Sequence, residues 1–199
     1  MSLLSYPAVR CFLAIDLPES ARQHLARVQD ALRDPPDDVG AVSWVRRENW
    51  HVTLKFLGEL ADAELVRICE ALRDVRAQPM TLCAERMVYF PRRGPVRVIA
   101  VEAGGDAGRL SAFHDAIEEA CASVNVERDA RRRFTGHITL GRSRHGERGA
   151  EIMSLRNRTL PDQFPGPLFN VEEFALLQSE LHPAGSRYTK LATLPLRTA

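Results

Sequence analysis

The sequence predicts an α+β fold of two similar lobes that face a central cleft, with the helices on the outside. Three observations lead to this fold class. Short strand-like segments alternate with amphipathic helical segments. Several strands are joined by short hairpin-like connections, which favour antiparallel or mixed sheets over a doubly wound one. A strand with the pattern His-x-Thr also occurs at a comparable place in each half of the chain. We therefore expect residues 1–199 to form a single two-lobed domain.

The first lobe is predicted to begin with a strand and a helix. Residues 10–17 (RCFLAIDL) form the short apolar run of a buried strand. Pro18 suits the first turn of a helix, which has to end before the two prolines in 34–38. Asp62 can cap a second helix. Two strands are expected between these helices, at 42–45 and 51–57. The apolar stripes of the two helices are Ala21, Leu25, Val28 and Leu32, and Leu65, Ile68, Leu72 and Val75.

The second lobe is predicted to follow a similar order. Segments 80–90 and 96–103 are alternating strands, and PRRGP between them is typical of a hairpin connection. Asp106 opens a third helix, and a strand follows at 134–141. The apolar stripe of the third helix is Leu110, Phe113, Ile117 and Cys121. The remaining predicted elements are a short helical turn at 152–157 and two strands at 169–181 and 187–196.

The composition is typical of a globular protein with one sizeable core. The chain has 199 residues, 45% of them hydrophobic and 27% charged, which is enough to bury a substantial apolar interior. The formal net charge is +1, so any basic site has to arise from local clustering. Nothing in the sequence indicates an obligate protein partner.

Cysteine usage and hydropathy predict a cytoplasmic protein. The four cysteines have no metal-type spacing and lie in apolar periodic segments, as reduced core residues do. The first ten residues lack the basic-then-apolar build of a signal peptide. No apolar run approaches the roughly 18 residues of a membrane span. We therefore expect a cytoplasmic location and no membrane association.

The two His-x-Thr motifs are the strongest functional signal in the chain. Because side chains alternate along a strand, WHVTLKFLG places His51 and Thr53 on one face, and FTGHITLGR places His137 and Thr139 on one face. The residues expected to face the core are Val52, Leu54 and Phe56 in the first motif, and Ile138 and Leu140 in the second. One such motif is ordinarily structural. Two copies in matched contexts indicate that the strands line opposite walls of a cleft.

Such a cleft suits proton transfer at a phosphodiester. An imidazole has a pKa near about 6.5, so one neutral and one protonated ring form a general base and a general acid. Threonine hydroxyls can donate hydrogen bonds to phosphoryl oxygens. The sequence contains no HExxH, no GxSxG and no Cys/His ligand spacing. We therefore expect neither a metal nor a cofactor.

Four segments together resemble the RNA 2′,3′-cyclic phosphodiesterases of the two-histidine phosphoesterase superfamily, also called 2′-5′ RNA ligases: RCFLAIDLP, WVRRENWHVTLKFLG, FTGHITLGR and LLQSELHPAGSRY. The resemblance covers residues 10–196. It implies a bilobal α+β fold and metal-independent hydrolysis of a terminal 2′,3′-cyclic phosphate to a 2′-phosphomonoester. It also implies that His51, Thr53, His137 and Thr139 are catalytic and that Arg142 binds phosphate.

The second motif departs from the family in one residue and raises a question about another. Gly136 stands where the family usually has proline, and this change removes no catalytic group. Arg142 lies an odd number of positions after His137. Simple alternation turns it away from the cleft, so it can reach phosphate only if the strand ends or bulges at Gly141.

Three further features are candidates for substrate binding. The resemblance favours Phe12 as a wall on which a base stacks, although a core phenylalanine fits the sequence as well. Lys55 shares the parity of His51 and is expected to add positive charge at the cleft mouth. Residues 128–148 contain seven arginines and two acids, which either guide an RNA end or form a solvated face.

The function that the sequence favours is hydrolysis of RNA ends or nucleotides that carry a 2′,3′-cyclic phosphate. In the preferred direction His137 is the base and His51 the acid, and the near-symmetry of the motifs leaves that order open. A 2′-5′ RNA ligase or 2′-5′ phosphodiesterase would use the same chemistry. A noncatalytic RNA-end or nucleotide binder is the alternative of another class. It is disfavoured because binding alone does not require two proton carriers.

Overall fold

The computed structural model of the protein describes residues 8–33, 41–128, 134–144, 164–182 and 185–198. The helices are α1 (Glu19–Arg33), α2 (Asp62–Arg73) and α3 (Ala107–Ser123). The strands are β1 (Val9–Asp16), β2 (Val42–Trp44), β3 (His51–Leu60), β4 (Met80–Phe90), β5 (Val98–Gly105), β6 (His137–Ser143), β7 (Phe169–Val171), β8 (Glu173–Glu180) and β9 (Arg187–Pro195). The predicted helical turn at 152–157 lies outside the described residues.

These nine strands form one sheet in the order β7-β4-β5-β6-β3-β1-β8-β9, and β2 pairs with β6. Every recorded strand pair is antiparallel. The predicted class, α+β with two pseudo-symmetric lobes and antiparallel pairing, is therefore confirmed. The long segment predicted at 169–181 is divided into β7, which pairs with β4, and β8, which pairs with β1.

The two halves of the sheet follow the same path. In one half, β1 leads through α1 to β3, its antiparallel neighbour. In the other half, β5 leads through α3 to β6 in the same way. Each half adds two outer strands, β8 and β9 beside β1, and β4 and β7 beside β5. The halves meet where β3 and β6 pair through Val52 and Ile138.

The hydrophobic core lies between the helices and one face of the sheet. Alternate residues of β1 (Cys11, Leu13 and Ile15) join a cluster that includes buried residues of all three helices. The other face carries a small separate cluster that contains Phe12. Burying each large aliphatic side chain of the main cluster contributes roughly 1.5–3 kcal/mol. Because the helices cover one face, the functional motifs lie on the face that they leave open.

The pairing of β1 with β3 contains a bulge directly after the first motif. Ala14 pairs with Thr53, but Leu13 pairs with Lys55, so Leu54 is an extra residue on β3. A bulge of this kind reverses the alternation of side chains. Leu54 and Lys55 are consequently both buried, at 3% and 4% exposure.

A second bulge lies at the equivalent place in the other half. Ala100 pairs with Thr139, but Ile99 pairs with Gly141, so Leu140 is the extra residue on β6. In each motif the bulge therefore follows the threonine. The residue five positions after each histidine then returns to the face that carries the histidine.

Candidate active site

The two motifs lie side by side at the centre of the sheet. Val52 and Ile138 are fully buried between them on the core face. The flanking residues, His51, Thr53, His137 and Thr139, are partly buried on the opposite face. Since the two strands are antiparallel, the pairing of Val52 with Ile138 places each histidine beside the threonine of the other motif.

The cavities on this face agree with that crosswise arrangement. A cavity of about 370 Å³, here called the site cavity, is lined by His51, Thr53, Thr139 and Arg142. An adjoining cavity of about 830 Å³ is lined by Thr53 and His137. The four residues predicted from the motifs are thus brought together from two strands far apart in the sequence.

Backbone carbonyls orient both imidazole rings in the same way. His51 Nδ1 lies 2.8 Å from the carbonyl oxygen of Asn49, and His137 Nδ1 lies 2.8 Å from that of Thr135. A carbonyl only accepts hydrogen bonds, so Nδ1 carries the proton in each ring. In the neutral state Nε2 is then the proton acceptor. His51 Nε2 lies 3.0 Å from Thr53 Oγ1.

Burial lowers the pKa of both histidines. The pKa of His51 falls to about 4, mainly through desolvation, although the Asn49 carbonyl and Asp16 act in the opposite direction. The pKa of His137 is lowered by desolvation and by Arg142, against the effect of the Thr135 carbonyl. Both rings are therefore neutral near pH 7 in the unliganded protein. A bound phosphate anion would favour the protonated form.

An acidic residue faces each histidine across its strand pair. Asp16 pairs with His51 and Glu102 pairs with His137. Each acid also meets a cation on an outer strand. Lys190 Nζ lies 2.5 Å from an Asp16 carboxylate oxygen, and an Arg86 nitrogen lies 2.7 Å from one of Glu102. The two halves thus repeat the same histidine–acid–cation order, which sequence periodicity alone did not indicate.

Aromatic rings pack against both histidines. The Phe12 ring lies 4.9 Å from the His51 ring between centroids, and the Tyr188 ring lies 5.4 Å from it. On the other side the Phe90 ring lies 5.0 Å from the His137 ring. These contacts restrict rotation of the imidazoles and reduce their access to water.

Phe12 faces the cleft, but its ring is covered. It is 2% exposed and packs against His51, Phe56 and Tyr188, so it has no ring face open to a base. Phe56 is 63% exposed instead and lines the site cavity. The expectation that Phe56 faces the core is wrong, because the bulge at Leu54 turns it to the cleft.

The expectation that Lys55 faces the cleft mouth is also wrong. The same bulge places Lys55 on the core face, opposite Leu13. Its Nζ lies 2.8 Å from both carboxylate oxygens of Glu118 on α3 and 2.8 Å from the carbonyl oxygen of Glu127. Its charge is therefore balanced inside the protein.

Arg142 faces the cleft, because the strand bulges beside Gly141 as the sequence analysis required. The extra residue Leu140 returns Arg142 to the face of Thr139, and both residues line the site cavity. Arg142 and Phe56 occupy equivalent positions in the two motifs, five residues after each histidine. The motif bulges therefore bring one cation and one aromatic ring to the same cavity.

The glycine before the second histidine has a local structural explanation. A Cβ atom at Gly136 would lie 2.5 Å from Leu110 Cδ2 and 3.5 Å from Ala103 Cβ. Leu110 on α3 thus fills the space that a larger residue would need. The Gly136 carbonyl still accepts a hydrogen bond from the Ala103 amide at 2.9 Å, which fixes the approach to the strand.

Four of the seven arginines in residues 128–148 lie outside the described residues. Arg128, Arg142 and Arg144 are described, and Arg128 pairs with Glu119. The role expected for the segment in guiding RNA stays a prediction. Within the described part of the chain, no three His, Cys, Asp or Glu residues are grouped to hold a metal ion. No helix there is long and apolar enough to cross a membrane.

Comparison with known proteins agrees with this architecture. Residues 15–100 match a family model described as LigT like Phosphoesterase. A protein of Methanothermobacter thermautotrophicus named RNA 2′,3′-cyclic phosphodiesterase is 33% identical, with 94% of this chain and 99% of that protein covered. A protein of Archaeoglobus fulgidus with the same name is 31% identical, with 92% and 98% covered.

Solved structures share the whole fold. A Thermus thermophilus protein superimposes with a TM-score of 0.76 at 28% identity, over 95% of this chain and 98% of its own. E. coli LigT complexed with 3′-AMP superimposes with a TM-score of 0.75 at 25% identity, also over 95% and 98%. The match therefore extends over both halves of the sheet.

Proposed function

Because the chain belongs to the LigT-like phosphoesterase family, we propose that it is an enzyme that hydrolyses the terminal 2′,3′-cyclic phosphate of RNA to a 2′-phosphomonoester. One observation carries the proposal: two histidines on one open face each have Nδ1 fixed by a backbone carbonyl. Each Nε2 is thereby available for proton transfer. The names of the relatives support the substrate class.

The reaction needs one proton carrier on each side of the phosphorus. Water attacks the phosphorus while a neutral imidazole takes its proton, and the bond from phosphorus to the 3′ oxygen breaks as a protonated imidazole donates to that oxygen. We assign the base to His137 and the acid to His51. Asp16 supports the acid role, because its charge favours the protonated form of His51.

Protonation of the acid is coupled to substrate in this scheme. Both rings are neutral in the unliganded protein at neutral pH, since burial lowers their pKa values. The cyclic phosphodiester carries one negative charge, and in a partly desolvated cavity that charge raises the pKa of an adjacent imidazole. The negative charge of the bound substrate therefore raises the pKa of His51 and favours its protonated form.

The remaining cavity residues have roles suited to the charge and shape of a nucleotide. Thr53 and Thr139 donate hydrogen bonds to the non-bridging phosphoryl oxygens. Arg142 neutralises the phosphate charge. Phe56, which lines this cavity, is 63% exposed, and we assign to it the stacking role that the family resemblance suggested for Phe12.

Both lobes take part in this function. The main hydrophobic cluster contains residues of both half-sheets, among them Leu13 of β1 and Val101 of β5. The catalytic histidines are contributed one by each half. We therefore propose that residues 1–199 act as one two-lobed domain, in the cytoplasm, without a required protein partner.

The direct test is to incubate the protein with 2′,3′-cyclic AMP in the presence of a chelator and to separate the products. The expected product is adenosine 2′-phosphate. A 3′-phosphate product would mean that the 2′ oxygen leaves and that the acid histidine is on the other side of the phosphorus. Activity that requires added zinc or manganese would contradict the metal-free mechanism.

Two alternatives are separated by further substrates. Joining of a cyclic phosphate end to a 5′-hydroxyl end through a 2′-5′ linkage would indicate a 2′-5′ RNA ligase, and cleavage of a 2′-5′ linked dinucleotide would indicate a 2′-5′ phosphodiesterase. Both use the same two histidines. Tight nucleotide binding without turnover of any of these substrates would instead indicate a binding protein.

A further inference from the structure

A groove beside His51 has no part in the reaction described above, apart from the roles of His51 and Asp16 in its lining. Its volume is about 730 Å³, and we call it the His51 groove. It lies between the start of α1, the segment before β3 and the start of β9. Its charged lining residues are Asp16, Arg22, Arg46, Glu48, Arg187 and Lys190.

The His51 groove is continuous with the site cavity. Both are lined by Asn49, His51, Ser186 and Tyr188. A ligand whose phosphate lies between the two motifs can therefore extend past His51 into the groove without leaving the protein surface. The groove is the right place for the part of an RNA chain that adjoins the reacting nucleotide.

The charged residues of the groove favour an anion. Two of its four cationic side chains form ion pairs with its two acidic side chains. Lys190 pairs with Asp16 at 2.5 Å, and Arg46 pairs with Glu48 at 3.7 Å. The Arg22 guanidinium donates to the carbonyl oxygens of Leu17 at 3.0 Å and Arg47 at 2.5 Å. These carbonyls fix Arg22 without neutralising its formal charge.

Arg187 supplies the second cation that neither acid of the groove neutralises. It is exposed at the first position of β9 and is adjacent to Tyr188, which packs against both Phe12 and His51. The strand position fixes its backbone, while its long side chain can follow a flexible polyanion. Together, Arg22 and Arg187 give the groove an excess of positive charge.

The other two cavities that reach His137 have no such excess among the described residues. The 830 Å³ cavity, here called the His137 groove, is lined by three cations (Lys55, Arg67 and Arg128) and four acids (Glu59, Glu64, Glu118 and Glu127). A third cavity of about 990 Å³ is lined by Arg92 and Glu102, whose formal charges balance. Local charge therefore selects the His51 groove for a polyanionic chain.

We propose that the His51 groove binds the backbone phosphate on the 5′ side of the reacting nucleotide, with Arg22 and Arg187 as its ligands. The inference rests on the proposed function, because it places the RNA chain relative to the reacting phosphate. It assigns to the protein a substrate longer than one nucleotide. A cyclic mononucleotide would fill the site cavity and leave the groove without a phosphate.

The test compares 2′,3′-cyclic AMP with a dinucleotide that ends in the same cyclic nucleotide. The measured quantity is the ratio of kcat/KM for the dinucleotide to kcat/KM for the mononucleotide. Arg187→Gln should lower this ratio about 5-fold, and Arg187→Glu more, because a charged contact to phosphate is lost or reversed. The slope of log KM for the dinucleotide against the logarithm of salt concentration should become shallower by about one unit in Arg187→Gln.

Arg67→Gln is the matched control, since Arg67 is an exposed arginine of the His137 groove. It should leave the ratio and the salt dependence unchanged. A ratio unaffected by both Arg187 variants, with both substrates hydrolysed, would overturn this inference and leave the proposed function intact. An equal fall in Arg67→Gln would place the RNA chain in the His137 groove and overturn it as well. Failure of the unmodified protein to hydrolyse 2′,3′-cyclic AMP would instead contradict the proposed function.

Discussion

Val52 and Ile138 face each other across the junction of the two half-sheets, and each lies between the histidine and the threonine of its own motif. Both side chains are buried, at 0% and 1% exposure. The separation of His51 and His137, the two proposed proton carriers, therefore depends on a contact in the hydrophobic core on the opposite face of the sheet. Packing at this pair should influence both stability and turnover.

We expect graded losses of stability at Ile138. Ile138→Val should lower the free energy of unfolding by about 0.5–1.5 kcal/mol and Ile138→Ala by about 2–5 kcal/mol, because each leaves a larger cavity. Denaturant unfolding measures both. Val66→Ala is the control, since Val66 is 57% exposed on α2 and should change stability by less than about 0.5 kcal/mol. Equal effects at both sites would show that the junction is not tightly packed.

Removing either of the imidazoles proposed to be catalytic should abolish most of the activity without unfolding the protein. His51→Ala and His137→Ala should each lower kcat at least about 100-fold on a cyclic phosphate substrate, the scale of a lost general acid or base. Thr53→Ala and Thr139→Ala should cost less, because each removes one neutral donor. Steady-state kinetics and thermal unfolding are the two measurements. Near-full activity in either histidine variant would exclude the two-histidine mechanism.

Activity should persist at a more acidic pH than an ordinary histidine allows. In the free enzyme the base has to be unprotonated, and burial lowers the pKa of His137 below its usual value near 6.5. The acid limb of kcat/KM should therefore lie below about pH 6.5. The acid has to be protonated in the substrate complex, and kcat reports the pKa values of that complex. Asp16 favours protonated His51, so Asp16→Asn should lower the pKa of His51 and shift the alkaline limb of kcat to lower pH.

Asp30→Asn is the control for the pH profile, because Asp30 pairs with Arg47 at the surface, at 2.8 Å. It should leave both limbs in place. If Asp16→Asn instead shifted the acid limb alone, His51 would be the base and the assignment of the two histidines would be reversed.

Lys55 should prove structural. Lys55→Met removes the ammonium group that pairs with the buried Glu118 carboxylate, and we expect a loss of about 3–5 kcal/mol of stability with little change in KM. The double variant Lys55→Met and Glu118→Leu removes both charges and should recover much of that loss. A rise in KM at unchanged stability would return Lys55 to the substrate site.

Phe56 and Phe12 should respond in opposite ways to truncation. Phe56→Ala should raise KM for 2′,3′-cyclic AMP several-fold, because stacking of a base on an aromatic ring contributes about 1–3 kcal/mol, and its exposed ring contributes little to the core. Phe12→Ala should lower stability by about 3–5 kcal/mol, since its ring is buried. An unchanged KM in Phe56→Ala would remove it from the base site.

The sequence predicted the strands, the helices and the four motif residues because alternation and helical spacing are local properties of the chain. It did not predict the neighbouring placement of β3 and β6, which depends on tertiary packing. The direction of the side chains beyond each threonine depends on the partner strand, because a β-bulge exists only relative to the strand with which it pairs. Gly141 gave a local hint of the bulge in the second motif. The first motif has Lys55 at that place, so Phe56 and Lys55 were assigned to the wrong faces.

The fifth residue after each histidine differs between the motifs, Phe56 in one and Arg142 in the other, and this difference also bears on which ester bond breaks. A site made of two equal halves would accept a cyclic phosphate in two opposite directions, and each direction would present a different ester oxygen to a given histidine. Such a site would release a mixture of regioisomers. Under the proposed roles, the nucleobase binds beside the ring of Phe56 and the phosphate binds beside the guanidinium of Arg142. The two sides of the cavity therefore differ, and one direction of binding is favoured. Exchanging the two side chains, as Phe56→Arg with Arg142→Phe, would then favour the opposite regioisomer.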